Sequence, residues 1–176
     1  MFFWKRKPLE GAPLAGRVRG DYPTEALRQC ESFCIRVADR RKATELQLRD
    51  FLIGVYLAGS RFPELRLYWK DFRAFEEWAL MEHESLPPFY VRPPATPLRP
   101  RSSELERIFC AARDLAGSRE IRWHGLPVLS VEHVLYTIAC ASAGSLSVGV
   151  AKFGLDVERL GQAVRRQHAE GSRPDR

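Results

Sequence analysis

Residues 103–116 read SELERIFCAARDLA, and residues 130–140 read SVEHVLYTIAC. These two stretches decide the fold class. In the first, Leu105, Ile108, Phe109, Ala112, Leu115 and Ala116 recur at three- and four-residue steps. That is the spacing of a single helical face. Ser102 or Ser103 stands where a hydroxyl can accept from the free amides of the first turn, and Gly117-Ser118 stops the pattern. In the second stretch Ser130 is a natural cap, and Val131, Val134, Leu135, Ile138 and Ala139 turn inward. Neither stretch alternates with the period of two that a strand requires.

The same reading extends outward. A helix is expected from Thr24, with Leu27, Cys30, Cys34 and Val37 on its inner face. A second fits Leu46 to Ala58, stopped by Gly59-Ser60. A third runs from about Glu64 to Met81 with a break near Lys70-Asp71, and its Tyr68, Phe72, Phe75 and Trp78 form an aromatic stripe. A last helical region covers Val148 to about Gln167, interrupted at Gly154. No convincing strand emerges, so the expected class is all-α.

The domain plan follows from composition shifts. Residues 1–20 are irregular, with Gly11, Gly16 and Gly20 among prolines. Residues 21–85 form a first helical unit. Residues 86–100 hold Pro87, Pro88, Pro93, Pro94, Pro97 and Pro100. Proline lacks the amide donor and fixes φ, so this is a stiff linker. Residues 101–167 form a second unit, and 168–176 are a polar tail.

The chain of 176 residues is 45% hydrophobic and 28% charged, which suits a globular core and argues against disorder. No apolar run approaches the roughly 18 residues of a membrane span. The net charge of +6 is concentrated toward the ends, whereas residues 51–150 balance. A dedicated nucleic-acid binder would show a basic stripe on a folded face. Phe2-Phe3-Trp4 is followed at once by Lys5-Arg6-Lys7, leaving no apolar signal region. That cluster either folds back on the domain or docks on a partner. Cys30, Cys34, Cys110 and Cys140 include no C-x-x-C, so a reducing cytoplasm is expected, with Cys30 and Cys34 as small buried hydrophobes.

The two units read alike. Thr24 faces Ser102, Leu27 faces Leu105, Cys34 faces Ala112 and Ala38 faces Ala116. Further on, Asp50 faces Glu132, Ile53 faces Leu135, Phe75 faces Val157 and Trp78 faces Leu160, after a short insertion around His124. Each unit alone would expose an apolar face. The expectation is two units of three or four short helices each, packed against each other about a pseudo-twofold axis.

The second unit resembles the N-terminal double repeat of the Clp/Hsp100 unfoldases. The resemblance rests on the alanine pair Ala112 and Ala116, on the helix start Glu132-His133-Val134-Leu135, and on the turn Gly154-Leu155-Asp156. The first unit fits less well, with Arg49-Asp50-Phe51-Leu52 where Glu-His would stand. The resemblance implies an eight-helix module that receives substrates or adaptors. In one branch of the family the glutamate of this motif receives a phosphorylated arginine, which would fall to Glu132, with Asp50 as the weaker counterpart.

These 176 residues contain no G-x-x-x-x-G-K-[ST] loop, so ATP hydrolysis is not expected. No cofactor or metal is expected either, because His83, His124, His133 and His168 show no ligand spacing. The expected function is therefore non-enzymatic: protein or peptide binding, as an adaptor or accessory of a Clp-type chaperone or protease. Alternatives are a basic helical nucleic-acid-binding regulator and an accessory of a secretion machine that uses a Clp-type ATPase. The expected contact residues are Glu132 as polar anchor with His133, Asp50 in the first unit, Phe51, Val134 and Tyr136 along a groove, and Trp123 on the inserted loop.

Overall fold

The computed structural model describes residues 22–86, 99–117, 122–123, 126–141 and 154–171. The expectations for the Phe2-Phe3-Trp4 cluster, for most of the proline-rich linker, for His124 and for the start of the last helical region at Val148 lie outside these residues. Among the described residues the architecture is all-α. The helices are α1 (Glu25–Arg40), α2 (Leu48–Ala58), a 3-10 helix (Pro63–Tyr68), α3 (Phe72–Glu84), α4 (Ser103–Gly117), α5 (Val131–Cys140) and α6 (Val157–Gly171). The third expected helix is split at Trp69–Asp71, where a break was anticipated.

Three short strands correct the expectation of none. They are β1 (Tyr22–Pro23), β2 (Arg122–Trp123) and β3 (Leu126–Leu129). β1 pairs parallel to β3, and β2 pairs antiparallel to it. Segments of two to four residues are too short to display an alternation, and Pro127 sits inside β3. Sequence pattern therefore cannot announce them.

The helices start where capping chemistry puts them. Thr24 Oγ1 accepts from the Leu27 amide at 3.4 Å, and Asp71 Oδ1 accepts from the Ala74 amide at 3.0 Å. Asp156 Oδ1 accepts from the Arg159 amide at 3.1 Å. Each satisfies an amide that the first helical turn leaves unpaired. Gly154 lies two residues before that cap with φ +61°, a conformation that L side chains rarely adopt.

α2 and α5 are the central helices. α2 buries Leu48, Asp50, Phe51, Leu52, Ile53, Gly54, Val55 and Ala58, and α5 buries every residue from Val131 to Leu135 and also Ile138. The outer helices α1, α4 and α6 bury one stripe each, as amphipathic helices do. Leu27 and Cys30 of α1, Phe51 and Leu52 of α2, Leu105 and Phe109 of α4, Val134 and Leu135 of α5 and Leu160 of α6 belong to one continuous core. Phe51 meets Phe109 edge-on, with centroids 5.4 Å apart and planes at 83°. Both rings are 1% exposed. Burying each gains roughly 1.5–3 kcal/mol, and their edge-to-face geometry adds to it.

The two units are also stitched through their backbones. The Thr24 amide, just before α1, donates to Leu129 O at 2.8 Å, just before the cap of α5. The Ser102 amide, just before α4, donates to Leu46 O at 2.8 Å, just before the cap of α2. Between the later segments, the Lys70 amide donates to Gly154 O at 3.1 Å and the Asp156 amide to Tyr68 O at 2.8 Å. Arg101 adds a side-chain tie. It reaches Glu31 of α1 at 2.6 Å and Glu106 of α4 at 3.1 Å while lying 3.8 Å over the Phe109 ring. Burial pushes the Glu106 carboxyl up, but Arg113 and Arg101 outweigh it and hold the group below the ordinary range.

Candidate functional site

The helix start expected to matter is a buried polar network. Ser130 caps α5, and its amide donates to His133 Nδ1 at 3.3 Å. Nδ1 therefore acts as an acceptor, which places the imidazole proton on Nε2. The Ser130 hydroxyl lies 2.8 Å from Nδ1 and 2.9 Å from Gln167 Oε1, so its single proton serves one of two acceptors. Gln167 Nε2 donates to Glu132 Oε2 at 3.0 Å. The Tyr68 hydroxyl donates to Glu132 Oε1 at 3.1 Å. The network joins the 3-10 helix, α5 and α6. Burial first, and then the Glu132 charge, push the Tyr68 phenol well above its ordinary value.

Glu132 is only 9% exposed, yet its partners Tyr68 and Gln167 are both neutral. No ion pair reaches it among the described residues. The amides of the first turn of α5 favour the charge there. Each carboxylate oxygen accepts one bond and can accept another. Chemically, this is an acceptor site with unused capacity and no ion-paired cation among the described residues.

Asp50 is different. It is fully buried, and its oxygens take Arg41 Nε at 2.8 Å, an Arg41 terminal nitrogen at 2.6 Å and the Gln47 amide at 2.9 Å. It is the third residue of α2 and completes that helix's capping box. Arg41 follows α1, so Asp50 locks the end of α1 to the start of α2. Three donors occupy it, and no surface is left to meet a partner.

Phe51 and Val134, expected to line a groove, are 1% and 0% exposed and pack inside the core. Tyr136 is partly buried against α6; its ring comes within 3.3 Å of the position a Cβ on Gly161 would take. A hydrogen bond with Cys140 raises its phenol pKa. Trp123 contributes its backbone to β2, opposite Leu126, and its side chain lies outside the described residues. The structure thus joins Glu132 and His133 in one network and leaves Asp50, Phe51, Val134 and Tyr136 out of it.

Tyr68 and Gln167 are the members that sequence reasoning missed. Tyr68 reads as one aromatic of a core stripe, and Gln167 as the last residue of the final helical region. They meet Glu132 from 64 and 35 residues away. No local spacing encodes such pairs. A related pair occurs at the start of α2. Arg49, the second residue of α2, pairs with Glu82 of α3, just as Glu132, the second residue of α5, bonds to Gln167 of α6. Among the described residues no group of three or more His, Cys, Asp or Glu side chains could hold a metal ion. No helix of the described residues is long and apolar enough to cross a membrane. No protein-family model matches the chain. A comparison with curated proteins finds no match.

Proposed function

We propose that this chain is a protein-binding module of the Clp N-terminal type, built from two repeats, with Glu132 as its polar anchor. The observation that carries the reading is the nearly buried Glu132 carboxylate at a helix start, held by two neutral donors and with no ion pair among the described residues. Such a group suits a guanidinium or another dense donor on an extended segment of a substrate or adaptor. The repeat reading is supported by reciprocal bonds: Thr24 to Leu129 in one direction, Ser102 to Leu46 in the other.

The caps favour a register one residue away from the first alignment at α2 and α5, and three residues away at α3 and α6. Gln47 caps α2 and Ser130 caps α5, which sets Asp50 against His133 and Arg49 against Glu132. In α3 and α6 the caps Asp71 and Asp156 set Phe75 against Leu160 and Ala79 against Val164, all of them buried. The earlier pairing of Phe75 with Val157 would match a core ring to a side chain that is 40% exposed. In this register Glu82 faces Gln167, so the Arg49–Glu82 and Glu132–Gln167 pairs occupy one position in the two repeats. The first repeat then carries an arginine where the second carries its anchor, and the module has one acidic site.

The test is an affinity capture with the intact protein beside Glu132→Ala and Glu132→Gln. The reading expects a Clp-type ATPase, its peptidase or its adaptor with the intact protein. It expects loss of that partner in both variants, with unchanged circular dichroism. Unaltered capture by folded Glu132→Ala would sink the anchor, and recovery of salt-released nucleic acid alone would sink the module reading.

A further inference from the structure

α3 presents an apolar stripe that its own fold does not explain. Leu80 is 38% exposed and Met81 63%. They are two of only four large hydrophobic side chains exposed among the described residues. Glu77 and Glu84 stand one helical turn before and after them, both exposed. Positions 77, 80, 81 and 84 follow the spacing of a single helical face. The surface is thus a short apolar patch with a carboxylate at each end.

The register proposed above supplies an internal control. It sets Leu80 and Met81 of α3 against Arg165 and Arg166 of α6, and both arginines are exposed. A helix in this position is compatible with charged side chains at these two sites. The apolar pair on α3 is therefore not a requirement of the packing beneath it.

The geometry points to an occupant from the same chain: the segment Phe2-Phe3-Trp4-Lys5-Arg6-Lys7. Its composition complements the stripe, with three aromatic rings for Leu80 and Met81 and three adjacent cations for the carboxylates of Glu84 and of Glu77, whose existing contact with Arg73 at 3.3 Å is solvent-exposed. Its reach is sufficient. The 15 residues from Lys7 to Tyr22 can span about 50 Å when extended. A compact domain of this size is about 40 Å across. Tethering raises the local concentration of the segment to the millimolar range, so a weak contact is enough to populate the docked state. The segment then acts as a built-in competitor: a partner bearing an apolar and basic stretch must displace it to use α3.

The experiment places a photoreactive benzophenone at Phe3 of the full-length protein, irradiates it, and maps the cross-linked peptides by mass spectrometry. The expected product is a monomer with position 3 joined to residues 77–84. Met81→Asp in the same background should cut the yield at least tenfold while leaving the circular dichroism melt unchanged, because the side chain is exposed. High salt should lower the yield of the unaltered chain. Cross-links between copies, cross-links elsewhere on the chain, no cross-link, or a yield indifferent to Met81→Asp would each overturn the proposal. The readout involves no partner, so it can fail or succeed independently of the Glu132 reading.

Discussion

At the scale of single residues, burial and pairing separate the two acidic candidates. Asp50 has no exposure and three donors, one side chain supplying two of them. Removing one partner of a buried ion pair strands the other, at a cost of about 3–5 kcal/mol. Asp50→Ala should lower the unfolding free energy by roughly that amount, read from urea titration. Glu132→Gln should cost far less, about 1 kcal/mol, since its two donors are neutral and an amide oxygen can still accept from one. His83 gives a pH prediction. Its Nε2 lies 2.8 Å from Arg40 of α1, while Arg40 also donates to Leu86 O at 2.8 Å. Burial and the Arg40 charge lower the His83 pKa from 6.5, partly offset by Glu84. The folded state thus binds fewer protons than the unfolded chain. Its stability contribution is complete above about pH 6.5 and is lost as pH falls through the folded value. His83→Gln should flatten that limb of a stability–pH curve. The sequence named Glu132 and His133 through a helix-start pattern. It did not reveal that Asp50 is consumed, because Arg41 reads simply as one more surface cation.

At the scale of elements, the helices were legible and the strands were not. Leu27, Cys30, Cys34 and Val37 announce α1 by spacing alone, and all four are buried. The central helices α2 and α5 announce themselves less by periodicity than by near-continuous apolar content bounded by caps. β1 and β2, at two residues each, offer no periodicity to read. One contact between elements could not have been read at all. A Cβ on Gly54 would lie 2.5 Å from Cys30 O and 3.0 Å from Cys34 N, both backbone atoms of α1. The two helices touch backbone to backbone there, and neither atom can swing away. Gly54→Ala should push α1 from α2 and cost about 3 kcal/mol, the upper end for overpacking, despite alanine's better helix propensity. A thermal melt checks it: a rise in Tm would mean the helices separate without penalty.

At the scale of the whole molecule, the halves share one core and exchange backbone bonds at both helix starts. Neither half can bury its inner face alone. A chain ending at Leu86 leaves Phe51 without Phe109 and removes the Leu129 acceptor of Thr24. It should show little cooperative thermal transition, whereas the full chain should unfold in one step by far-ultraviolet circular dichroism and by tryptophan fluorescence. Two separated transitions would mean the units are independent. The proposed repeat rests, in the sequence, on a set of matched residues. Under that reading its register follows from the caps Gln47 of α2 and Ser130 of α5, a detail that a one-residue slip in the alignment conceals.

The cysteines divide evenly: Cys30 and Cys34 are buried, Cys110 and Cys140 exposed. Burial pushes both inner thiols well above their ordinary pKa, so the reactive thiolate is scarce while α1 stays seated. With Cys110 and Cys140 replaced by serine, a thiol reagent has access to the remaining pair only when α1 lifts away from α2. The protein therefore carries its own clock. The speed at which those two sulfurs are labelled counts how often the seam between α1 and α2 opens, in a molecule that is otherwise intact.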